Sequence, residues 1–354
     1  MRFILLSIFL QILLVFPWHA NGQLFYSNNT DITVLSPATI TVKGGMTIDG
    51  TSTIDNAGTI ELEGDWINDS DNDGFGTSQG TVRLIGGIQL IGGTSSTMFN
   101  NLQLVGTGNK SLLANTSVGG SNPAPAGILS LNDKVLRLNS YMLTVTNPDP
   151  GAIVRTTGFV ESETDPVAGY GTIEWLTNDL LGGETYIFPF GNAATGHYLP
   201  VSADITSGAS AASGKFSVST YPTNTAASPN NRPLPTGLPV LTSTAGTENA
   251  SNTLDRFWIF DVSGYPSSLT TDLTFTYRDS EWSTGNNLIN ESDLRAQRHD
   301  LLVWTPPLGT INTTSNTATV SNVSLFNTVW TVAANISPLP IELIAFDATP
   351  VNNS

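Results

Sequence analysis

The chain has 354 residues, enough for two ordinary domains, and it contains no cysteine, which excludes disulfides, thiolate metal sites and a cysteine nucleophile. Only 12% of the residues are charged, and 29 acidic residues against 13 basic ones give a formal charge of −16, which argues against nucleic-acid binding. The 33 glycines and 20 prolines favour many short strands over long helices.

Residues 1–22 have the pattern of an export signal. Arg2 supplies a positive start, an apolar run extends over residues 3–16, and Pro17 precedes the small and polar stretch 20–22. The run is too short to span a bilayer easily, and no later segment is apolar enough to do so. We therefore predict a cleaved signal peptide and a mature protein that is secreted or held at the cell surface, without a transmembrane segment.

A short sequence phrase with the pattern of a β-strand occurs twice early in the chain. Residues 58–64, Gly-Thr-Ile-Glu-Leu-Glu-Gly, recur 22 residues later as residues 80–86, Gly-Thr-Val-Arg-Leu-Ile-Gly. In each phrase the apolar side chains lie two residues apart, which is the pattern of a strand with one buried face. A glycine at each end permits a sharp turn. A phrase that returns after about one coil indicates a solenoid of stacked coils.

Similar short strand units follow one another through residues 23–166, with corners rich in Gly, Asn, Asp and Ser. Three such strands per coil would give coils of roughly 20 to 24 residues, so we predict a right-handed parallel β-solenoid. An antiparallel meander or sandwich stays open as an alternative, because alternation alone does not fix strand direction.

From residue 167 the strands become longer and more aromatic, and we predict an antiparallel β-sandwich over 167–336 with about seven to nine strands. Residues 222–252 lack periodicity and are predicted to form a long loop. Residues 337–354 are predicted to be a linker or the truncated start of a C-terminal module. The predicted fold class is therefore all-β, a solenoid followed by a sandwich.

Five segments of the chain form recognisable motifs: Gly64–Asn68, Phe188–Gly191, Tyr198–Val201, Arg256–Ile259 and Pro338–Phe346. Together they resemble those of secreted surface proteins of the Bacteroidetes phylum. A C-terminal Leu-Pro-x-Glu-Leu phrase in that group precedes a sorting domain of the type IX secretion system; here the sequence ends eight residues after Phe346, and the sorting domain is absent from it. The resemblance implies export, a surface location and a companion β domain after the solenoid.

Asp69, Asp71 and Asp73 alternate with polar residues and precede Gly74, which matches the first six positions of a calcium-binding loop. Alternate carboxylates can converge on a hard cation, so calcium is the one cofactor that the sequence suggests. The twelfth position of the loop, which should be a glutamate, is Gly80. A solvated corner between two strands is the alternative interpretation.

An acidic cluster and one tryptophan are further candidates for a carbohydrate-related site. Glu161, Glu163 and Asp165 form an acidic cluster that could cleave glycosidic bonds only if two carboxylates were held at a suitable separation, which spacing cannot establish. Trp282 lies among polar residues, and we predict it as a candidate platform on which a sugar ring could stack. No residue is predicted to be catalytic.

We therefore expect a non-enzymatic structural or adhesin-like protein whose rigid solenoid displays or spaces a recognition surface, with surface glycans or proteins as partners. Two alternatives stay open: a carbohydrate-binding module for polysaccharide capture, and a β-helix polysaccharide lyase. The lyase alternative is opposed by the presence of only four lysines, since such enzymes commonly need basic residues in the cleft.

Overall fold

The computed structural model describes residues 24–75, 79–121, 125–163, 169–238, 240–242, 246–300, 303–335 and 339. It is all-β, with 48% strand and 3% helix, and contains a parallel β-solenoid of about 6 turns followed by antiparallel sheets, as predicted. The predicted signal peptide at 1–22 and the predicted linker at 337–354, apart from Leu339, lie outside the described residues.

The first part of the chain forms short strands separated by tight corners. They are β1 (Phe25–Asn28), β2 (Ile32–Val34), β3 (Thr39–Val42), β4 (Met46–Gly50), β5 (Ile54–Asn56), β6 (Thr59–Leu62), β7 (Trp66–Ser70), β8 (Thr81–Leu84), β9 (Gln89–Gly92), β10 (Thr97–Phe99), β11 (Asn101–Leu104), β12 (Lys110–Leu112), β13 (Thr116–Val118), β14 (Leu129–Asn132), β15 (Val135–Arg137), β16 (Met142–Val145), β17 (Ile153–Arg155), β18 (Phe159–Glu161) and β19 (Thr172–Trp175).

These strands stack into three parallel faces, and each coil contributes one strand to a face. One face has the order β1-β4-β7-β9-β12-β15-β18, and a second has the order β3-β6-β8-β11-β14-β17. The third contains β2-β5 and then β10-β13-β16-β19. The parallel order excludes the antiparallel meander that alternation had left open.

The repeated phrase explains why the coils stack. Strands β6 and β8, which carry its two copies, pair in parallel with Ile60 opposite Val82 and Leu62 opposite Leu84. All four side chains are buried, so like residues form an aliphatic ladder that runs from coil to coil. Burying one such side chain is worth about 1.5 to 3 kcal/mol, and each added coil extends the same core.

Side-chain amides connect successive coils at the solenoid corners. Gln89 Nε2 donates to Leu62 O of the preceding coil at 2.9 Å, and Asn132 Nδ2 donates to Leu104 O at 2.7 Å. Gln89 is fully buried, and Leu62 O also accepts a hydrogen bond from Ile85 N at 2.9 Å. These amides therefore add side-chain hydrogen bonds to the backbone pairing between coils.

The second part of the chain forms longer strands and three short 3-10 turns. The strands are β20 (Thr185–Phe188), β21 (Gly191–Asn192), β22 (His197–Tyr198), β23 (Val201–Ser207), β24 (Lys215–Pro222), β25 (Arg256–Ser263), β26 (Thr270–Thr276), β27 (Leu294–Asp300), β28 (Val303–Trp304), β29 (Thr310–Asn312), β30 (Thr317–Val323) and β31 (Thr328–Ala334), and the turns are Ala250–Asn252, Asp279–Glu281 and Glu291–Asp293.

Strand β19 joins the two parts of the molecule. It pairs in parallel with β16 of the last coils and antiparallel with β24, so one sheet continues as β10-β13-β16-β19-β24-β25-β31-β27-β28. Trp175 of β19 is fully buried and contacts Phe188 of the opposite sheet at 5.7 Å between ring centroids. The solenoid and the sandwich therefore share both a sheet and a hydrophobic core.

The sandwich is completed by a second sheet of order β20-β23-β26-β30-β29. Phe275 of this sheet contacts Trp258 and Trp330 of the long sheet at ring-centroid distances of 5.0 and 5.3 Å. Aromatic pairs at these separations stabilise the core beyond the area that they bury. Both tryptophans are completely buried.

The predicted long loop covers the outer face of the long sheet. Leu238 and Leu241 of the loop are buried in a second apolar cluster with Tyr221, Phe257 and Val329 from β24, β25 and β31. These three strands are consequently buried on both faces, although alternation in sequence suggests strands with one wet face. Among the described residues, no helix is long and apolar enough to cross a membrane.

Candidate functional site

The three predicted calcium ligands lie at the corner that follows β7. Asp69 Oδ1 accepts a hydrogen bond from Thr94 N at 2.9 Å, and Asp73 Oδ1 accepts one from Phe75 N at 3.3 Å, while Asp71 is exposed. Burial raises the pKa of Asp73. Among the described residues, no three Asp, Glu or His side chains converge as a metal site requires. Residues 76–78 of this corner lie outside the description, so calcium binding stays a prediction.

Asn68 organises this corner from within. Its Nδ2 donates to Ser96 O at 2.7 Å and to Asn72 O at 3.0 Å, and its Oδ1 accepts from Ser70 Oγ at 2.6 Å. The side chain is fully buried. The alternation of residues along β7 indicates the inward position of Asn68, because Trp66, Asn68 and Ser70 share the inward face and Asp69 points outward.

Trp282 follows the 3-10 turn Asp279–Glu281 and is only partly exposed. Its ring packs against the main hydrophobic core, and its Nε1 is buried without a hydrogen-bond acceptor. A stacking platform needs an open ring face, and the packed ring offers only part of one. Sugar stacking on Trp282 stays a prediction, with less accessible ring surface than its polar neighbours in sequence suggest.

The predicted acidic cluster is divided among separate partners. Glu161 pairs with Arg137 at 2.9 Å and accepts a hydrogen bond from Ala193 N at 2.6 Å. Burial raises the pKa of Glu161, and Arg137 acts in the opposite direction. Glu163 is held by Arg256, and Asp165 lies outside the described residues. The two described carboxylates are therefore both engaged in structural contacts.

Arg256 and Glu281 form the centre of a buried ion cluster that the sequence did not reveal. Arg256 is fully buried and contacts Glu163, Glu281 at 2.7 Å and Thr220 Oγ1 at 2.9 Å. Glu281 also contacts Arg278 at 2.6 Å. Burial opposes ionisation of Glu281, but the two guanidinium groups outweigh it and hold the pKa of this carboxyl below its ordinary value. Two arginines and two glutamates thus face one another in this cluster.

A polar cavity of about 400 Å³ opens beside this cluster, at one end of the sandwich. Arg278 lines it from the cluster side, and His197, Tyr198, Asp279 and Asn316 line the remainder. Glu281 pairs with Arg278, and the lining also contains the carboxylate of Asp279 beside neutral hydrogen-bonding groups. The exposed His197 and the partly buried Tyr198 give it an aromatic wall.

Tyr277 also lines the cavity, as a hydrogen-bonding group. It donates a hydrogen bond to Glu291 Oε1 at 2.8 Å, and burial together with that carboxylate raises the pKa of the phenol. The phenol is therefore protonated near neutral pH and is a hydrogen-bonding group rather than a base. Arg278 is fixed by its contacts with Glu281, so the cavity holds preorganised hydrogen-bonding groups for a polar ligand.

Comparison with known proteins adds no family to these observations. No family model matches the chain, and neither a curated protein nor a solved structure matches it. A parallel β-solenoid occurs both in polysaccharide lyases and in structural proteins, so the fold alone does not define a function. An inference about function must rest on the architecture and on the site geometry.

Proposed function

We propose that this chain is a non-enzymatic structural or adhesin-like protein of the cell surface or extracellular space, in which a rigid β rod displays the end of the sandwich. The observation that carries the proposal is the continuity of the long sheet from β16 through β19 to β24. A hinge between two domains would need a flexible linker with few crossing contacts, whereas this junction is a buried strand.

Additional contacts at the junction support the same rigid arrangement. Trp175 Nε1 donates to Asn147 O at 2.9 Å, and Tyr186 Oη donates to Pro148 O at 2.8 Å, so both sheets of the sandwich are tied to the last coils. Arg256 of β25 is in turn tied to Glu163, which follows the last coil. A spacer or display element needs this kind of stiffness.

The engagement of the acidic residues supports a non-enzymatic role. Glycoside hydrolysis needs two carboxylates that flank a substrate, one of them able to exchange a proton. Glu161 and Glu163 are committed to arginines and to backbone groups, and Glu174 pairs with Lys215 at 2.6 Å. Each of these carboxylates is thus engaged in an ion pair with a basic side chain of the fold.

The proposal is tested by incubating the purified full chain with a panel of polysaccharides while both retention and degradation are measured. The proposal predicts no time-dependent release of reducing ends or unsaturated uronates. Protease treatment of intact producing cells should digest the chain, since it lies outside the cell. Catalytic depolymerisation by the purified chain, or complete protection in intact cells, would contradict the proposal.

Carbohydrate capture is a second candidate function, and the polar cavity beside Arg278 is the observation that favours it. In affinity electrophoresis through polysaccharide gels, the wild-type chain should be retarded and the His197→Ala variant should be retarded less. Thr313→Ala, which changes an exposed residue outside the cavity lining, is the matched control. Equal retardation of all three proteins would rule out this cavity as the capture site.

A further inference from the structure

Arg298 is a buried arginine whose charge is poorly compensated. Its side chain is 9% exposed, and Nη1 donates to the backbone oxygen of Leu325. The nearest carboxylate, on Asp300, is 58% exposed and lies 3.5 Å from Nη2, at the outer limit for a hydrogen bond. The buried Nε atom has no hydrogen-bond acceptor.

Arg256 shows how the same protein compensates a buried arginine when no ligand is involved. Two buried carboxylates, from Glu163 and Glu281, contact its guanidinium. Together they outweigh the effect of burial and raise the pKa of Arg256. For Arg298, burial outweighs Asp300 and lowers the pKa of the guanidinium. The ring of the buried Trp330, whose centroid lies 5.9 Å from the guanidinium carbon, is a further partner of Arg298, but a cation–π contact compensates a buried charge less than a buried carboxylate does. An anion in contact with Arg298 would therefore be stabilised.

A cavity of about 430 Å³ lies directly against Arg298, at an end of the sandwich. Its lining combines apolar surface from Leu325, Phe326 and Pro266 with the aromatic ring of Tyr265. Leu325 is 61% exposed at the mouth, although large apolar side chains gain from burial. The cavity thus offers the guanidinium of Arg298, an apolar wall and an exposed apolar lip, and the largely exposed carboxylate of Asp300 also belongs to its lining.

We propose that this cavity binds a small monocarboxylate, whose carboxylate pairs with the guanidinium of Arg298 and whose body packs against Tyr265 and Leu325. One guanidinium matches one negative charge, and planar carboxylates suit its fork of donors. A dianion such as phosphate is disfavoured, because Asp300 lies 3.5 Å from the same group. The proposal does not depend on the proposed structural role of the chain.

The test follows the Nε–H resonances of the ¹⁵N-labelled full chain by NMR at constant ionic strength. Two acids are titrated, D-glucuronate and hexanoate, each with its neutral counterpart, D-glucose and 1-hexanol. We expect one acid to move the Arg298 resonance in a saturable way while its counterpart does not, and the responding acid distinguishes a sugar acid from an aliphatic acid. The Arg298→Gln variant assigns the resonance, and Arg295→Gln, on the same strand but outside the lining, is its charge-matched control.

A second variant keeps the test independent of the folding of Arg298→Gln. Leu325→Glu adds a negative charge at the exposed mouth and should weaken acid binding about tenfold relative to Leu325→Gln, since like charges repel at close range. Three results would overturn the proposal: no shift with either acid, an equal shift with the neutral counterpart, or equal affinity in Leu325→Glu and Leu325→Gln.

Discussion

Arg256 is a fully buried charged residue in a chain that has few charged residues. Its guanidinium joins strand β25 to Glu163 after the last coil and to Glu281 in a distant turn. Breaking a buried ion pair by removing one partner strands the other charge and commonly costs about 3 to 5 kcal/mol. The cluster therefore fixes the relative position of three segments that are remote in sequence.

The Glu281→Gln variant tests this role. It removes the carboxylate shared by Arg256 and Arg278, so we expect chemical denaturation to show a loss of about 3 to 5 kcal/mol in the free energy of unfolding. Because the folded-state pKa of Glu281 is below its ordinary value of 4.5, the stabilisation is present above that pH and is lost as the pH falls further. The difference in unfolding free energy between the wild type and Glu281→Gln should therefore shrink in acid.

Glu248→Gln is the matched control for that measurement. Glu248 pairs with Arg232 at 3.2 Å on the surface, where an ion pair is worth at most about 1 kcal/mol. If Glu281→Gln lost no more unfolding free energy than Glu248→Gln, the buried cluster would not stabilise the fold.

Lys110 is a second buried charge, held inside a solenoid corner. Its Nζ donates to Gly87 O at 2.6 Å and Gly86 O at 3.0 Å, and no described carboxylate forms an ion pair with it. Burial, with a smaller contribution from Lys134, lowers the pKa of Lys110 to about 8. The two carbonyl groups stabilise the charged ammonium form of Lys110, but they do not fully replace the hydration that burial removes.

This lysine predicts a pH dependence of stability in the alkaline range. Between pH 8 and 10.5 the unfolded chain keeps the Lys110 proton that the folded chain has lost, so the contribution of Lys110 to stability rises with pH, by about 3 kcal/mol for the full shift. Between pH 8 and 10.5 the wild type and Lys43→Met, an exposed control, should therefore gain about 3 kcal/mol of unfolding free energy relative to Lys110→Met. The effect is measured as this difference, because buried tyrosines such as Tyr277, whose pKa is raised, make all three proteins less stable as the pH rises. An equal dependence of unfolding free energy on pH in Lys110→Met and the wild type would contradict the assignment.

At the scale of the strand and its corner, glycine sets how closely the coils approach. Gly106 has φ +73°, and a Cβ there would lie 1.9 Å from Gly86 O of the preceding coil. Gly86, which ends the second copy of the repeated phrase, has the same packing function as well as a turning function, since a Cβ there would lie 1.9 Å from Glu63 O. Sequence inspection detected the turn, but the contact depends on which corners stack.

Gly106→Ala tests this contact. Left-handed strain and the clash with Gly86 O together should reduce the unfolding free energy by about 3 to 5 kcal/mol. Gly183→Ala is the matched control, because Gly183 has φ +93° and open space where the Cβ would lie, so only strain of about 1 to 2 kcal/mol is expected. Equal losses in denaturant titrations of the two variants would show that coil contact at Gly106 is unimportant.

The strands themselves could be predicted because their alternation is local. Ile60 and Leu62 carry the inward pattern within a few residues, and the 22-residue recurrence supplied the register with Val82 and Leu84. Burial of β24 on both faces could not be predicted in this way, because it depends on Leu238 and Leu241 of a loop without periodicity.

At the scale of the whole molecule, the order of solenoid and sandwich was predictable but their union was not. Composition and strand length change near residue 167, which suggests separate regions, whereas β19 hydrogen-bonds to both. The candidate site was hidden for the same reason, since Arg256 and Glu163 are 93 residues apart and neither forms a motif. Local patterns predict elements, and long-range pairing decides how they assemble.

A shared sheet and core imply that the last coils and the sandwich unfold together. Solenoid coils elsewhere interact only with their neighbours and can lose structure progressively from a free end. The coil that contains β16 differs, because its neighbour β19 is also a sandwich strand. Rigidity at this junction is the property on which the proposed display function depends.

The most direct test is pulsed hydrogen exchange of the full chain in increasing urea, analysed by mass spectrometry. We predict that peptides covering Met142–Val145 of the solenoid and Arg256–Ser263 of the sandwich lose protection at the same urea concentration, as one cooperative unit does. Loss of protection in one of these peptides at a urea concentration where the other is still fully protected would contradict the rigid union of solenoid and sandwich.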